Sequence, residues 1–303
     1  MDSQCRQCGS TKLLNRGLVS RGRFFAGHAL VPSWPGGSLY ECRDCNLVFK
    51  MPIQSEHVYD QLYESASETV YASNRLRYDQ ELARKVILQQ CRSGSVLDVG
   101  CFDGALLDSL GTRFEKFGVE ASRAAVDICR QRNIEVLASG IKDLPTVSRQ
   151  FDVVCAIDVI EHVADPQSFL IMLKRLVRPG GSMLISTGNA ATLVWRIFGG
   201  RYWYCSFPEH ISFLSPAWVS RVSRKLDLEV ALLKPFRHLH SDASKLQALV
   251  GFSTRLGIST GEYLLSPFLK NYQRLGPRFV LGFPGIVKDH MLIVFRTRTP
   301  HQS

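Results

Sequence analysis

Apolar and polar positions along this 303-residue chain change their period several times, and the changes mark out its elements. Over residues 1–50 the apolar residues are scattered among Gly, Pro and aromatic side chains without a helical repeat, which predicts a small β module. Residues 51–92 read as helical. Val58, Leu62 and Tyr63, then Leu76, Leu82, Ala83, Val86 and Ile87, recur at about the 3.6-residue helical period. Short apolar runs then alternate with amphipathic stretches. Strands are predicted over Ser95–Val99, Lys116–Glu120, Ile134–Leu137, Phe151–Ile157 and Ser182–Ser186. Helices are predicted to begin at Gly104 and to cover Ser122–Arg132 and Pro166–Val177. Such βα alternation implies an α/β, doubly wound parallel sheet with helices on both faces. Val230–Leu233 and Met291–Phe295 read as two more strands. Residues 236–288 between them are basic, aromatic and broken by Gly and Pro, and read as an irregular helical insertion.

Composition narrows the class. A hydrophobic content of 45% and a mean hydropathy of −0.02 suit a globule with a sizeable core. No apolar run is long enough to span a bilayer, and the first residues lack the pattern of a signal peptide. A cytoplasmic address is expected. The net charge of +10 is concentrated late, since residues 189–303 carry 15 basic and 6 acidic side chains. That field suits an anionic partner: a small or lipid-linked anionic substrate, a nucleic acid, or a membrane surface touched peripherally. A solvated basic surface explains it equally well. Within the insertion, Leu264, Leu265, Phe268 and Leu269 with Lys270, Arg274 and Arg278 form an amphipathic stretch that suits a substrate lid, a docking surface or a homodimer contact.

Nine cysteines are an odd number, which argues against a closed disulfide framework. Four of them form two C-x-x-C knuckles, Cys5/Cys8 and Cys42/Cys45. A two-residue gap lets both thiolates of a knuckle reach one metal from a tight turn, and Gly9 and Asn46 tolerate the positive φ such a turn needs. Four thiolates make a closed tetrahedral shell, so a structural Zn²⁺ is expected in a ribbon over residues 1–50.

The segment Val96-Leu97-Asp98-Val99-Gly100-Cys101-Phe102-Asp103-Gly104 closes one strand and opens a helix. Gly100 and Gly104 in that turn allow close backbone approach to a ligand. Glu120 ends the next strand, where an acid accepts both ribose hydroxyl protons of a nucleoside. Asp98 stands just before the turn; a carboxylate there would repel a pyrophosphate but attract a cationic amino-acid tail. The cofactor expected is therefore S-adenosylmethionine (SAM).

These residues, with Gly118-Val119-Glu120, Asp158-Val159-Ile160-Glu161-His162-Val163, and Arg178-Pro179-Gly180-Gly181, resemble the successive motifs of class I SAM-dependent methyltransferases. The ribbon, ending in Cys42-x-x-Cys45-x-Leu47-Val48-Phe49, is similar to that of methyltransferases from sugar, polysaccharide and natural-product pathways. The resemblance implies a Rossmann-like seven-stranded sheet whose last strand, Met291–Phe295, is inserted antiparallel. It divides the chain into a ribbon (1–50), a helical linker or cofactor lid (51–92), a SAM-binding core (93–235), the basic insertion (236–288), and a closing strand with its tail (289–303). It places Asp158 beside the methionine part of SAM and Ile141 beside adenine. Tyr59, Tyr63, Tyr71, Arg75 and Arg77, ahead of the fold, suit closure over the cofactor, with an arginine pairing its carboxylate, and suit a solvated helix face nearly as well. The chain departs from the family pattern at Phe102, where a glycine is usual, and at Gly140, where an acid is common.

Methyl transfer needs the nucleophile aligned with the methyl group and, often, a base. In ribbon-bearing sugar C-methyltransferases a Glu–His pair after the fifth strand supplies that base. The resemblance carries the role onto His210, with Glu209 assisting and a sugar or polysaccharide precursor as acceptor. Two rivals remain. Quinone or phenol O-methylation would centre on Glu161 and His162, a segment that in such enzymes approaches the substrate and a divalent ion. RNA methylation is disfavoured, because no compact basic-aromatic stripe is present and no Asn-Pro-Pro-Tyr-type motif follows the fourth strand.

Overall fold

The computed structural model describes residues 4–25, 28–64, 76–237 and 288–298. Tyr71, Arg75 and the amphipathic stretch of the insertion lie outside these residues. The N-terminal module is built of β1 (Leu13–Val19), β2 (Gly22–Phe25), β3 (His28–Trp34), β4 (Gly37–Cys42) and β5 (Val48–Met51). Its main sheet runs β1-β4-β5-β11, and β11 (Ser212–Phe213) belongs to the second half of the chain. The module is thus closed by a strand from the core rather than by itself.

Two helices, α1 (Glu56–Glu64) and α2 (Tyr78–Gln90), lead into the central sheet. That sheet consists of β6 (Gly94–Val99), β7 (Phe114–Val119), β8 (Glu135–Ala138), β9 (Phe151–Ile157), β10 (Val177–Gly188), β12 (Leu228–Phe236) and β13 (His290–Thr297), in the order β12-β13-β10-β9-β6-β7-β8. β6, β7, β8, β9 and β10 pair in parallel. β13 is antiparallel to both its neighbours, β10 and β12. This is the seven-stranded, doubly wound arrangement implied by the motifs. The parallel strands read as near-continuous apolar runs because both faces are covered: Val96, Leu97, Val154, Cys155 and Ala156 are fully buried. The remaining helices are α3 (Ala105–Asp108), α4 (Arg123–Gln131), α5 (Pro166–Leu176), α6 (Leu193–Phe198) and α7 (Pro216–Lys225).

Local chemistry sets several boundaries. α4 begins where the Ser122 hydroxyl accepts from the Ala125 N–H, and α5 where Asp165 accepts from Gln167 and Ser168 ahead of Pro166. The tips of the parallel strands and the antiparallel entry of β13 meet at one edge. His290 pairs there with Gly188 on one side and Phe236 on the other. That edge carries the site.

Candidate active site

The turn after β6 is tight. Gly100 (φ +74°) and Gly104 (φ +72°) both adopt the left-handed region, and a Cβ at either would meet Val159 at 2.7 Å or Ile134 at 2.3 Å. Both glycines therefore serve close packing of the turn on the core, a stricter demand than ligand approach alone. Phe102 also lies in the left-handed region, at φ 49°, so the backbone keeps the glycine conformation that the residue type departs from. The Phe102 N–H donates to Glu120 at 2.8 Å, and the Ser122 N–H to its other oxygen at 2.8 Å. Glu120 is thereby fixed at the end of β7, and burial raises its pKa.

Asp98 is 3% exposed, and its Oδ1 has no hydrogen-bond partner among the described residues. Burial pushes its carboxyl up to about 7, against the pull of Arg77. An orphaned, buried carboxylate oxygen at the mouth of a parallel sheet is matched by a cationic ligand group such as the ammonium of SAM. The residues present fit the cofactor. Arg77 lies 3.0 Å from Asp79 and 3.2 Å from Asp158. Burial and the charge of Asp79 raise Asp158 well above the carboxylate range, with Arg77 opposing. Ile141 opens a 3₁₀ turn, Ile141–Thr146, and packs half-buried against the main core.

The two rival candidate sets prove to be one cluster. Ligand atoms of Glu161, His162 and His210 lie within 4.8 Å of one another, a grouping able to hold a metal ion. Glu161 is fully buried and accepts from the Tyr204 hydroxyl and from Thr187 Oγ1 at 2.9 Å. The Tyr63 hydroxyl and His162 Nδ1 are 2.6 Å apart. His210 Nδ1 is 3.0 Å from the Tyr204 carbonyl, which accepts its proton and leaves Nε2 as the basic nitrogen. The imidazole is enclosed by Tyr204, Phe207 and His162, at ring-centroid distances of 4.1, 4.9 and 5.0 Å. Burial holds it well below its ordinary pKa, and His162 and Lys50 push the same way.

Glu209 is buried, and its charge acts on Lys50 of β5 and on Tyr59 of α1. Residue type and spacing did not single out Tyr204, Thr187, Asp289 or His290. Asp289 accepts from the Tyr202 hydroxyl at 2.7 Å and lies 2.9 Å from His290 Nδ1, and His290 stacks edge-on to Tyr204 at 5.1 Å. An unusual density of aromatics in Tyr202-Trp203-Tyr204 was the available signal.

The cysteine knuckles meet as expected. Cys5, Cys8, Cys42 and Cys45 bring their sulfurs within 4.8 Å of one another, with Cys5–Cys45 and Cys8–Cys42 both at 3.5 Å. Tetrahedral thiolate ligation at about 2.3 Å per bond separates sulfurs by about 3.8 Å, so the set fits a metal ion. Gly9 (φ 72°) and Asn46 (φ 63°) take the left-handed conformation after each knuckle.

A doubly wound sheet with an antiparallel last strand, a glycine turn, a buried acid before it and a second acid at the next strand end define a class I SAM-dependent methyltransferase fold. The chain belongs to the family described as Methyltransferase domain, which matches residues 71–233. It is 30% identical over 163 residues to the ubiquinone biosynthesis O-methyltransferase of Alkalilimnicola ehrlichii, covering 48% of this chain and 66% of that protein. It is 32% identical over 159 residues to the mitochondrial ubiquinone biosynthesis O-methyltransferase of Dictyostelium discoideum, covering 46% of this chain and 50% of that one. The chain thus spans roughly half to two thirds of the curated relatives it matches. A chain from the complex of the Haloferax volcanii Trm112 methyltransferase activator with a methyltransferase shares the fold at TM-score 0.52 and 17% identity, over 82% of this chain and all of that one.

These relatives overturn the expectation of a sugar or polysaccharide acceptor. The Glu209–His210 motif that suggested it does not discriminate, because His210 sits in the same cluster as Glu161 and His162. Among the described residues no helix is long and apolar enough to cross a membrane.

Proposed function

We propose that this protein is a SAM-dependent O-methyltransferase whose acceptor is a phenolic hydroxyl, as on a quinol ring. The observation that carries the reading is the clustering of His210 and His162 with the buried Glu161, which the Tyr204 hydroxyl and Thr187 clamp. An imidazole base is a closer match for a phenol, with a pKa of about 10, than for an aliphatic hydroxyl, nearer the value of about 15.7 for water. The names of the curated relatives point the same way.

In this reading SAM supplies an electrophilic methyl group on sulfur. Asp98 would hold the ammonium of its amino-acid tail and Glu120 its ribose diol, with Gly100, Gly104, Asp158 and Ile141 completing the pocket. On methylation of the acceptor oxygen, His210 Nε2 would take up the phenolic proton. Nδ1–H of His210 stays on the Tyr204 carbonyl, which fixes the tautomer. Glu161, clamped by Tyr204 and Thr187, stabilises the imidazolium that results. The four thiolates hold a structural Zn²⁺, with no open position for chemistry.

The enzyme is further proposed to work at a membrane surface. α6 exposes Leu193, Ile197 and Phe198 next to Arg196 and Arg201, an apolar-basic face suited to anionic headgroups.

The test is turnover of methyl-labelled SAM with a panel of catechols, hydroquinones, nucleotide sugars and RNA, with and without added divalent ion. Label on the phenolic oxygen supports the reading. Label found on nucleotide sugar or RNA alone overturns it.

A further inference from the structure

The segment carrying His210 is stitched between the ribbon and the core. On the core side the Ile211 N–H donates to the Glu161 carbonyl at 2.8 Å, and Ser212 Oγ to the Val163 carbonyl at 2.7 Å. On the ribbon side Ser212 and Phe213 pair with Phe49 and Val48. The Lys50 N–H donates to the Ile211 carbonyl at 3.0 Å, and the Lys50 ammonium to the Phe207 carbonyl. A third set of ties comes from inside the first cysteine knuckle. Arg6, between Cys5 and Cys8, donates from Nη2 to the Ile211 carbonyl at 2.8 Å and lies 3.4 Å from Ser212 Oγ. Its guanidinium covers the Phe49 ring at 5.2 Å. Gln7 accepts from Trp218 Nε1 at 2.9 Å.

Arg6 is an expensive choice for a structural turn. Its Nε and Nη1 are buried without a hydrogen-bond partner among the described residues, and an apolar side chain of that length would pack there without the desolvation penalty. What the guanidinium supplies instead is a directed bond to the carbonyl of the residue next to His210. The knuckle's shape, and so the reach of Arg6, depends on the thiolate cluster that flanks it on both sides.

We propose that Arg6 is a positioning residue for His210, so that metal loading of the cysteine cluster sets the rate of methyl transfer while leaving cofactor affinity alone. The proposal rests on His210 acting at the acceptor, as described above. The coupling is mechanical: withdrawal of Arg6 leaves the Ile211 carbonyl on the Lys50 N–H alone, and the imidazole loses its register against Glu161.

The experiment compares Arg6→Met, Arg6→Lys and wild type, each zinc-loaded and with metal content measured. Three quantities are read: S-adenosylhomocysteine affinity by calorimetry, kcat and KM for a phenolic acceptor, and the His210 imidazole resonances by NMR. A displacement of about 1 Å costs on the order of 100-fold in rate, so Arg6→Met should lose about 10- to 100-fold in kcat. Its homocysteine-product affinity should stay within about twofold, as expected for a remote site. Its His210 signals should shift or broaden. Arg6→Lys, which keeps a donor, should recover part of kcat and of the native signals. Chelation of zinc from wild type should reproduce the Arg6→Met pattern in the NMR spectrum and leave cofactor affinity in place. Unchanged His210 signals and kcat in Arg6→Met would overturn the proposal, as would parallel loss of cofactor affinity, which marks general unfolding. If wild type methylates no phenol, the functional reading fails, and the imidazole spectra still decide whether Arg6 and zinc position His210.

Discussion

The two halves of the cleft are built in opposite ways. The proposed cofactor half is centred on one stretch of chain, in which Asp98, Gly100, Gly104 and Glu120 sit at successive strand ends and turns of a single βαβ unit, with Arg77, Ile141 and Asp158 added from outside it. The proposed acceptor half gathers Arg6 and Lys50 from the ribbon, Glu161 from the 3₁₀ turn after β9, Tyr204 and His210 from the segment before β11, and His290 from the start of β13. The first is set by local backbone geometry and by charge. The second is set by long-range packing, so its groups are correlated: what moves one moves the others.

That contrast sets the order in which perturbations should act. The largest effect belongs to His210→Ala, which should lower kcat by about 10²- to 10⁴-fold, the range for loss of a general base, with S-adenosylhomocysteine affinity preserved. Parallel loss of both in labelled-methyl and calorimetric assays would show that the halves are not separable. Glu120→Ala should do the reverse. Loss of charge-assisted hydrogen bonds of about 1.5–3 kcal/mol weakens cofactor binding by roughly 10- to 150-fold, read by titration calorimetry.

A smaller effect sharpens the role of Asp98. Its folded pKa of about 7 stands above the unfolded value of about 3.9, so its contribution to stability is present in acid and is lost as pH rises toward 7. A bound cation reverses that preference by favouring the charged form. Cofactor affinity should therefore rise with pH up to about 7 and level off above it, by at most about tenfold per unit, with proton release visible as a buffer-dependent binding enthalpy. Asp98→Asn should flatten the profile; a slope that persists in this variant assigns the proton elsewhere. Tyr204→Phe removes one of the two hydroxyl donors to buried Glu161 and should cost about 1–3 kcal/mol of stability in denaturant unfolding. Smallest of all, Ile197→Glu should reduce sedimentation with anionic liposomes by a few-fold without changing turnover of a soluble phenol.

The same contrast governs what could be read from the residues alone. β9 occurs at its expected bounds, Phe151–Ile157, because a parallel strand covered on both faces is a continuous apolar run. The glycine turn and its two acids were legible for a similar reason: strand, turn and helix follow one another without a gap. β10 extends beyond the expected Ser182–Ser186 to Val177–Gly188, since Gly180 and Gly181 mask a strand whose register shifts between Val177 and Ser182. β11 is two residues long and carries no periodicity, so its place in the ribbon sheet is a tertiary fact. Glu161–His162 and His210 read as competitors because sequence distance hides that the Ile211 N–H reaches the Glu161 carbonyl. His290 gave no signal, because a histidine at the head of an apolar strand has no spacing to mark it.

The position of β13 has a consequence for biosynthesis. A nascent chain that has emerged as far as Phe236 holds every other strand of the central sheet, yet the slot between β10 and β12 stands empty until His290–Thr297 arrive. During that interval both lips of the slot offer bare backbone to any passing strand. Ribosome pausing or chaperone holding over the intervening codons is where yield of this protein should be won or lost.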